Sequence, residues 1–575
     1  MLVIATAGHV DHGKSTLVHR LTGSRPDRLA EERRRGLTIE LGFTWTDLDG
    51  RTVAFVDVPG HERFVGTMLA GVGPVPAVLF VVAADEGWMP QSAEHLAALD
   101  ALGVRHGLVM ITKTDLAAPG PAIGQVRRAL AGSSLNSAPV VTTMPDLVAG
   151  LVALADDMPA PELSADVRLW VDRSFTVRGA GTVVTGTLPA GVVRVGDVLD
   201  HGGEPVTVRG LQSLGEERTE VPAVARVAVN LRGIDRRSIS RGDTLRTPGA
   251  WLTSAEVDVG VRSADRLHRT LVLHIGSAAV PVRVRELGTQ AARLRLATPL
   301  PLRVGDIGLL RDPGEHRVAA GVEVLDVRPP ALNRRGAARD RAAELASGRV
   351  RPPAFARTSE LRAMGLSPVG RQVGEWVVDD GTWSRKRRDA LARFAEWCTE
   401  HPVAAGMPLE ALRHDLGLPS AELVPVLLAG TGLETADGLV RRPGTALPTE
   451  VDRAVRAVAD SLARAPFRAP EAGELANWRL GPRELAAADR AGRLTRLADG
   501  IVLGPDALAR AVDILSTLVQ PFTVSEARRA LGTTRRVAVP LLERLDARRI
   551  TVRHPDGTRT VGGAGRPAAG EVDRG

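Results

Sequence analysis

The sequence predicts a multidomain chain: an α/β domain on a parallel sheet, then two β-barrels, then a series of small helical units. Three observations predict it. A Gly-x4-Gly-Lys-Ser loop, Gly8 to Ser15, directly follows an apolar run. Short alternating runs with glycine turns begin near Val167, and helical periodicity rich in Ala, Leu and Arg fills the chain beyond Pro330. At 575 residues there is room for roughly three to five domains. Of 74 basic residues only three are lysine, at 14, 113 and 386, and a net charge of +7 leans toward nucleic acid without requiring it. Cys398 is the one cysteine, which excludes an intrachain disulfide and a cysteine-held metal cluster and suits a reducing compartment. The cytoplasm is the expected location. The six-residue run 2–7 lacks a cleavage-type end and reads as a core strand, not a signal sequence, and no stretch is long enough to span a membrane.

That first strand and a helix opening near Leu17 bracket Gly8-His9-Val10-Asp11-His12-Gly13-Lys14-Ser15-Thr16. The spacing turns successive backbone N–H groups inward on a nucleotide's phosphates, while the helix N-terminus adds its positive dipole end. Lys14 is placed for the β- and γ-phosphates and Ser15 for Mg²⁺; a compact ammonium fits there where a guanidinium fork does not. Apolar runs at 53–56, 77–82, 108–111 and 139–141 alternate with helical segments around 62–69, 91–102 and 122–130. Helices then cover both faces of the sheet, and ligands bind at the strands' carboxyl ends. Asp57-Val58-Pro59-Gly60-His61 ends one of these strands, so Asp57 reaches Mg²⁺ through water and the Gly60 N–H faces the γ-phosphate. Thr112-Lys113-Thr114-Asp115 ends another. Asp115 there accepts from N1–H and the 2-amino group of guanine, donors that adenine lacks, with the Lys113 stem along the base. Thr38, within 33–39, offers a hydroxyl that closes on Mg²⁺ when the γ-phosphate is present. Together these motifs specify a P-loop GTPase domain with GTP or GDP and Mg²⁺ as cofactors. His61 has two readings, a surface histidine capping the next helix or the group that orients the attacking water. His9 and His12 read as loop packing.

Gly8 to Thr16, Arg35-Gly36-Leu37-Thr38-Ile39 and Asp57 to His61 together resemble a translational GTPase of the elongation factor Tu class. The resemblance implies that His61 is catalytic. It further implies that Val10 and Leu37 form an apolar gate holding His61 from the water until the ribosome rearranges it, so that basal hydrolysis is low. Two positions depart from the class pattern. Thr112 stands where most GTPases have Asn, which removes an amide tying this loop to the phosphate loop. Thr142-Thr143-Met144 stands where a Ser-Ala pair meets the guanine oxygen, a contact that a backbone N–H can still make.

From about 167 the runs 169–171, 181–187, 206–208, 224–231 and 271–275 read as strands of two small β-barrels. Segments 178–186, 229–233 and 241–245 are similar to the second domain of the same class, although for Gly179 and Gly181 turn chemistry accounts equally well. Within the class the chain is similar to the selenocysteine-specific elongation factors, whose Asp-Arg and Arg-Gly-Asp fall on Asp172-Arg173 and Arg241-Gly242-Asp243. The resemblance implies that Asp172, Arg173 and Arg241 line an aminoacyl pocket. A selenol is ionised near neutral pH, so guanidinium groups select selenolate over the serine precursor. Ordinary surface ion pairs in an arginine-rich chain are the other reading of both arginines.

Elongation factor Tu's pattern ends near Pro329-Pro330, and the chain continues. Helical periodicity at 389–397, 409–416, 421–428, 451–462, 483–491 and 508–518, with strand-turn-strand candidates at 433–440 and 494–503, looks like winged helices in series. In the last, 522–532 is a first helix, Thr533-Thr534 a cap, 537–545 a recognition helix and 550–560 a wing turning at Asp556-Gly557. Residues 506–560 hold ten Arg against six acidic residues. Arg535 and Arg536 oppose the helix dipole, which suits phosphate binding. With 3% aromatics, base stacking on a sheet platform is not expected. Residues 532–536 and 541–546 resemble the terminal winged helix of the selenocysteine factors, which implies that Thr534, Arg535, Arg536 and Arg559 contact an mRNA hairpin.

The expected organisation is a P-loop GTPase domain (1–165), β-barrels at 166–250 and 251–330, winged helices at 335–383, 384–446, 447–506 and 507–562, and a disordered tail at 563–575. The expected function is delivery of selenocysteinyl-tRNA to the ribosome at UGA codons marked by an mRNA hairpin. GTP is hydrolysed there, by a monomer that uses no membrane. A general aminoacyl- or initiator-tRNA carrier of the same class leaves the extension unexplained. A nucleic-acid-binding regulator with a GTPase switch leaves the complete hydrolytic motifs and two barrels unexplained.

Overall fold

The computed structural model describes residues 1–24, 40–61, 65–73, 75–262, 266–348, 352–401, 404, 406–442, 447 and 449–562. Leu37, Thr38 and the tail 563–575 lie outside the described residues. The chain forms two compact units, residues 1–369 with 375–377, and the remainder.

The first unit begins with strands β1 (Leu2–Ala7), β2 (Gly42–Leu48), β3 (Arg51–Asp57), β4 (Ala77–Ala83), β5 (His106–Thr112) and β6 (Val140–Val141), in the sheet order β2-β3-β1-β4-β5-β6. All pairs are parallel except β2 with β3. Around it run α1 (Lys14–Thr22), α2 (Val65–Val72), α3 (Pro90–Ala101), α4 (Gly120–Leu130) and α5 (Met144–Asp157). Alternate side chains of a strand face opposite sides, and here both sides are covered, so β1 and β4 are buried along their whole length. Val3, Phe80 and Val82 pack with Leu99 and Val126 on one face. Ile4, Phe55 and Leu79 pack with Leu17, Val18 and Leu147 on the other. Strand β2 has a half-exposed alternating pattern instead of a continuous apolar run, as befits an antiparallel edge strand.

The first barrel runs in the order Arg168–Trp170, Thr244–Arg246, Val198–His201, Glu204–Ser213, Ala225–Arg232, Gly181–Leu188, Arg173–Val177, around Leu169, Val184, Val229 and Leu245. The second closes fully from Leu252–Arg262 to Arg317–Asp326, which leaves no open edge. Residues 335–383, expected to form a winged helix, hold helices Ala337–Ala346 and Thr358–Met364 and the short strands Phe355–Arg357, Arg371–Val373 and Trp376–Val378. Helix α6 (Ala337–Ala346) packs Leu345 and Ala342 against Leu287 and Ala291 of the second barrel. Its Arg341, 5% exposed, inserts between Asp258 and Asp326 of the barrel wall. Farther on, Met364 joins the second barrel's core and Arg362 pairs with Asp166 at 2.8 Å. The helical period is present, but its apolar face belongs to the barrel.

The second unit repeats three helices and a hairpin three times among the described residues. The first repeat is Asp380–Glu400, Leu409–Asp415 and Leu423–Leu428 with Glu434–Ala436 and Leu439–Arg441. The second is Thr449–Arg464, Ala472–Asn477 and Pro482–Arg490 with Thr495–Ala498 and Ile501–Leu503. The third is Ala507–Ser516, Val524–Ala530 and Arg535–Ala547 with Thr551–Arg553 and Arg559–Val561. Lys386, the lysine outside the nucleotide motifs, donates to Leu416 O at 2.5 Å, and Arg387 donates to Ala429 O at 2.8 Å. Two adjacent cations on one helix thus satisfy the C-terminal carbonyls of its two neighbours. The second and third repeats share one apolar core, from Val458 and Phe467 through Leu494 to Phe522 and Leu542. No helix among the described residues is long and apolar enough to cross a membrane.

Candidate functional site

The phosphate loop takes its shape from left-handed backbone. Gly8 has φ 127°, and a Cβ there would drive into Val81 O of β4. Gly13, with φ 87°, stands at the N-cap of α1, and Asp11 adopts φ 61°. Buried Lys14 donates from Nζ to Gly8 O at 2.9 Å and to His9 O at 2.6 Å. Burial pulls its pKa down to about 8, against the opposing pull of Asp57 and Asp11. Ser15 Oγ donates to Asp57 Oδ2 at 2.6 Å, and the fully buried Asp57 accepts from Thr6 Oγ1 on its other oxygen at 2.7 Å. A hydroxyl and a carboxylate held this close are a hard-oxygen donor set that fits Mg²⁺. Gly60 lies against the loop, since a Cβ on it would strike Lys14 Nζ and Val10 N. His61 follows, half-buried, and Thr16 is exposed on α1.

Two side chains that the sequence did not mark hold the loop from α3. His95 Nδ1 accepts from Gly8 N at 3.0 Å, and Gln91 Oε1 accepts from Val10 N at 3.0 Å. Residues four apart share one helix face, so one turn of α3 serves both amides. Burial, then Lys14 and His9, lowers the His95 pKa to about 3, so the ring stays neutral and keeps its acceptor. His12, also buried, is pulled down to about 4 by the same cause and packs beneath the loop. The signal in the sequence was Gln91, Ser92 and His95 on a helix face that also carries Leu96 and Leu99.

The guanine motif keeps the tie that replacing Asn by Thr112 was expected to remove. Thr112 Oγ1 donates to His12 O at 2.7 Å, so a hydroxyl joins the two loops. Lys113, at φ 52°, pairs with Glu86 at 2.9 Å and Asp85 at 3.3 Å, and Asp115 is exposed in the following turn. Thr143 serves α5, its Oγ1 accepting from Asp146 N at 3.2 Å.

Asp172, Arg173 and Arg241 come together where the GTPase domain meets the first barrel. Arg173 Nη2 donates to Leu41 O and lies 3.4 Å from Glu40 Oε2. Arg241 donates to Gly66 O at 3.0 Å and to Thr67 Oγ1 at 3.2 Å. Desolvation lowers the Arg241 pKa; Asp172 and Glu40 oppose that shift and Arg173 adds to it, so the four charges share one electrostatic neighbourhood. Asp172 turns inward. Arg226 donates to both its carboxylate oxygens, Thr185 Oγ1 donates to it at 2.7 Å, and the Arg226 guanidinium lies 3.7 Å over the Phe43 ring. Arg226, absent from the expected set, thus offsets the charge of Asp172.

In the last repeat Arg535 is exposed and makes no ion pair among the described residues. Arg536 Nη2 donates to Pro470 O at 2.7 Å. Arg559 leaves the set expected to meet RNA: it is 4% exposed and its charge is met by Asp546 at 2.9 Å. Thr534 holds the N-cap position without a side-chain cap bond, and Thr533 Oγ1 donates to Phe467 O at 2.5 Å.

The elongation factor Tu GTP-binding domain family matches residues 1–272, and the winged helix of elongation factor SelB matches residues 513–560. A selenocysteine-specific elongation factor of Desulfomicrobium baculatum is 39% identical over 352 residues, 56% of this chain and 56% of its own length. One of Escherichia coli (strain K12) is 35% identical over 466 residues, 74% of this chain and 75% of its own. In fold, the chain is similar to a crystal structure of a bacterial selenocysteine-specific elongation factor, with TM-score 0.73 and 24% identity over 98% of this chain and 99% of that one. It is also similar to translation elongation factor SelB of Methanococcus maripaludis in complex with a GTP analogue, with TM-score 0.51 and 23% identity over 57% of this chain and 79% of that one. A nucleotide loop with its guanine motif, two barrels and a terminal winged helix thus agree with these matches: the chain belongs to the selenocysteine-specific elongation factor family.

Proposed function

We propose that the protein carries selenocysteinyl-tRNA to the ribosome at UGA codons marked by an mRNA hairpin and hydrolyses GTP there. The observation that carries the reading is the pair of guanidinium groups, Arg173 and Arg241, gathered beside the GTPase domain while Asp172 is neutralised by Arg226. Such a cluster attracts a selenolate and offers a neutral serine hydroxyl nothing equivalent. The GTP analogue named with the Methanococcus maripaludis factor supports the nucleotide assignment.

Lys14 neutralises the β- and γ-phosphates and Asp115 reads guanine. Ser15, Thr38 and, through water, Asp57 would hold Mg²⁺, which neutralises phosphate charge when bound. Gly60 N–H faces the γ-phosphate, His61 orients the attacking water, and Val10 with Leu37 keeps His61 away until the ribosome acts. Arg535 meets the hairpin backbone, with Arg536 and Thr534 beside it. The test is protection of the aminoacyl ester. The GTP-bound protein shields selenocysteinyl-tRNA, but not seryl- or cysteinyl-tRNA, from hydrolysis, and equal shielding of all three rejects the reading. Arg535→Glu weakens hairpin binding at unchanged GTP affinity; unaltered hairpin binding rejects that assignment.

A further inference from the structure

The cationic cluster already has an anion beside it. Glu40 Oε2 lies 3.4 Å from Arg173 Nη2, and Glu40 also bears on the charge of Arg241. Its neighbour Leu41 accepts from the same Arg173 through its carbonyl, and Phe43, two residues on, has the Arg173 guanidinium 5.3 Å from its ring centroid. The chain entering β2 therefore supplies Arg173 with a carbonyl, an aromatic face and a carboxylate. The first two fix where the guanidinium sits, and the third offsets its charge. Any anion arriving at Arg173 and Arg241 meets that carboxylate as a competitor, whereas a neutral side chain gains nothing from its removal.

We infer that Glu40 acts as an intramolecular competitor of the cargo's anionic side chain at Arg173, and so sets how strongly the factor prefers selenocysteinyl-tRNA to seryl-tRNA. Glu40 is a positioning residue acting through Arg173. The inference rests on the reading that Arg173 and Arg241 face the esterified amino acid. The Glu40 side chain is more than half exposed and that of Arg173 is 25% exposed, so the pair is of the weak, screened kind. Removing its charge should change affinity by a factor of about two to five.

The experiment measures binding of selenocysteinyl-tRNA and seryl-tRNA to the full chain with a non-hydrolysable GTP analogue, for the unaltered protein, Glu40→Gln and Glu40→Asp. Glu40→Gln should bind selenocysteinyl-tRNA about two- to fivefold more tightly and seryl-tRNA equally well. Glu40→Asp, which keeps the charge, should stay near the unaltered protein. An equal gain for both tRNAs, or none for selenocysteinyl-tRNA, overturns the inference while the selectivity of the unaltered protein still supports the proposed function. Equal affinity of the unaltered protein for both tRNAs overturns the proposed function and the inference together.

Discussion

Replacing His95 by leucine tests whether α3 shapes the nucleotide site. The substitution puts an apolar side chain of similar bulk in place of the ring and deletes the acceptor that Nδ1 offers to Gly8 N at 3.0 Å. Leaving that buried amide unmatched costs about 1–3 kcal/mol. The loop can avoid the cost only by moving, and movement displaces the amides that meet phosphate. Affinity for GDP should then fall by about 5- to 150-fold, the equivalent of that free energy. His95→Asn places Oδ1 near the position of Nδ1 and should hold affinity within a few fold. The assay is titration with a fluorescent GDP analogue, repeated between pH 5 and 8. Because burial keeps the His95 pKa at about 3, the unaltered protein should show no titration of this ring across that range. Wild-type affinity in His95→Leu, or equal losses in the leucine and asparagine variants, would refute the reasoning.

Thr112→Val removes the hydroxyl bonded to His12 O and should weaken GDP binding by about 2- to 12-fold, the equivalent of one net hydrogen bond, with Thr112→Asn restoring it; an unaffected valine variant counts against the tie. Arg341→Met strands charge on Asp326, while Arg293 still donates to both carboxylate oxygens of Asp258. The first unit should lose about 3 kcal/mol in urea denaturation, and a loss below 1 kcal/mol would show that the barrel does not depend on α6. Burial lowers the pKa of His95 to about 3 and that of His274 to about 4, from an ordinary value of 6.5. As pH falls the unfolded chain therefore takes up protons first. The stability present above pH 6.5 drains away below it, by about 2 kcal/mol per histidine between pH 7 and 5. Denaturation midpoints that coincide at the two pH values would exclude this.

The GTPase sheet was legible because β1 and β4 are covered on both faces and announce themselves as unbroken apolar runs. Strand β2 was not, since one face of an edge strand is wet and its pattern resembles any alternating segment. That Lys14, Ser15, Asp57 and Gly60 come together was readable from fixed spacing alone, as all four lie within a few residues of two strand ends. Gln91, His95, Arg226 and Glu40 were not, because their partners lie 87, 81 and 54 residues away for three of these bonds, and sequence carries no distance across such gaps. Arg559 shows the opposite failure. In an arginine-rich basic segment it looks like any other cation, and only burial against Asp546 separates it from Arg535. Helix α6 was not singled out in the sequence, and its packing on the barrel could not have been, since a 3.6-residue period names the apolar side and not what will cover it.

The apolar core shared by the last two repeats bears on anyone who wants the terminal module in isolation. Phe522 and Leu542 sit in the same cluster as Phe467 and Leu494, and Thr533 and Arg536 are bonded to the carbonyls of Phe467 and Pro470. A cut at residue 506, where the repeat pattern invites the scissors, would strip oil from both halves and leave each fragment sticky. The smallest piece with a sealed interior starts before Leu447, so the two modules should melt as one and be inherited, swapped or engineered only as a pair.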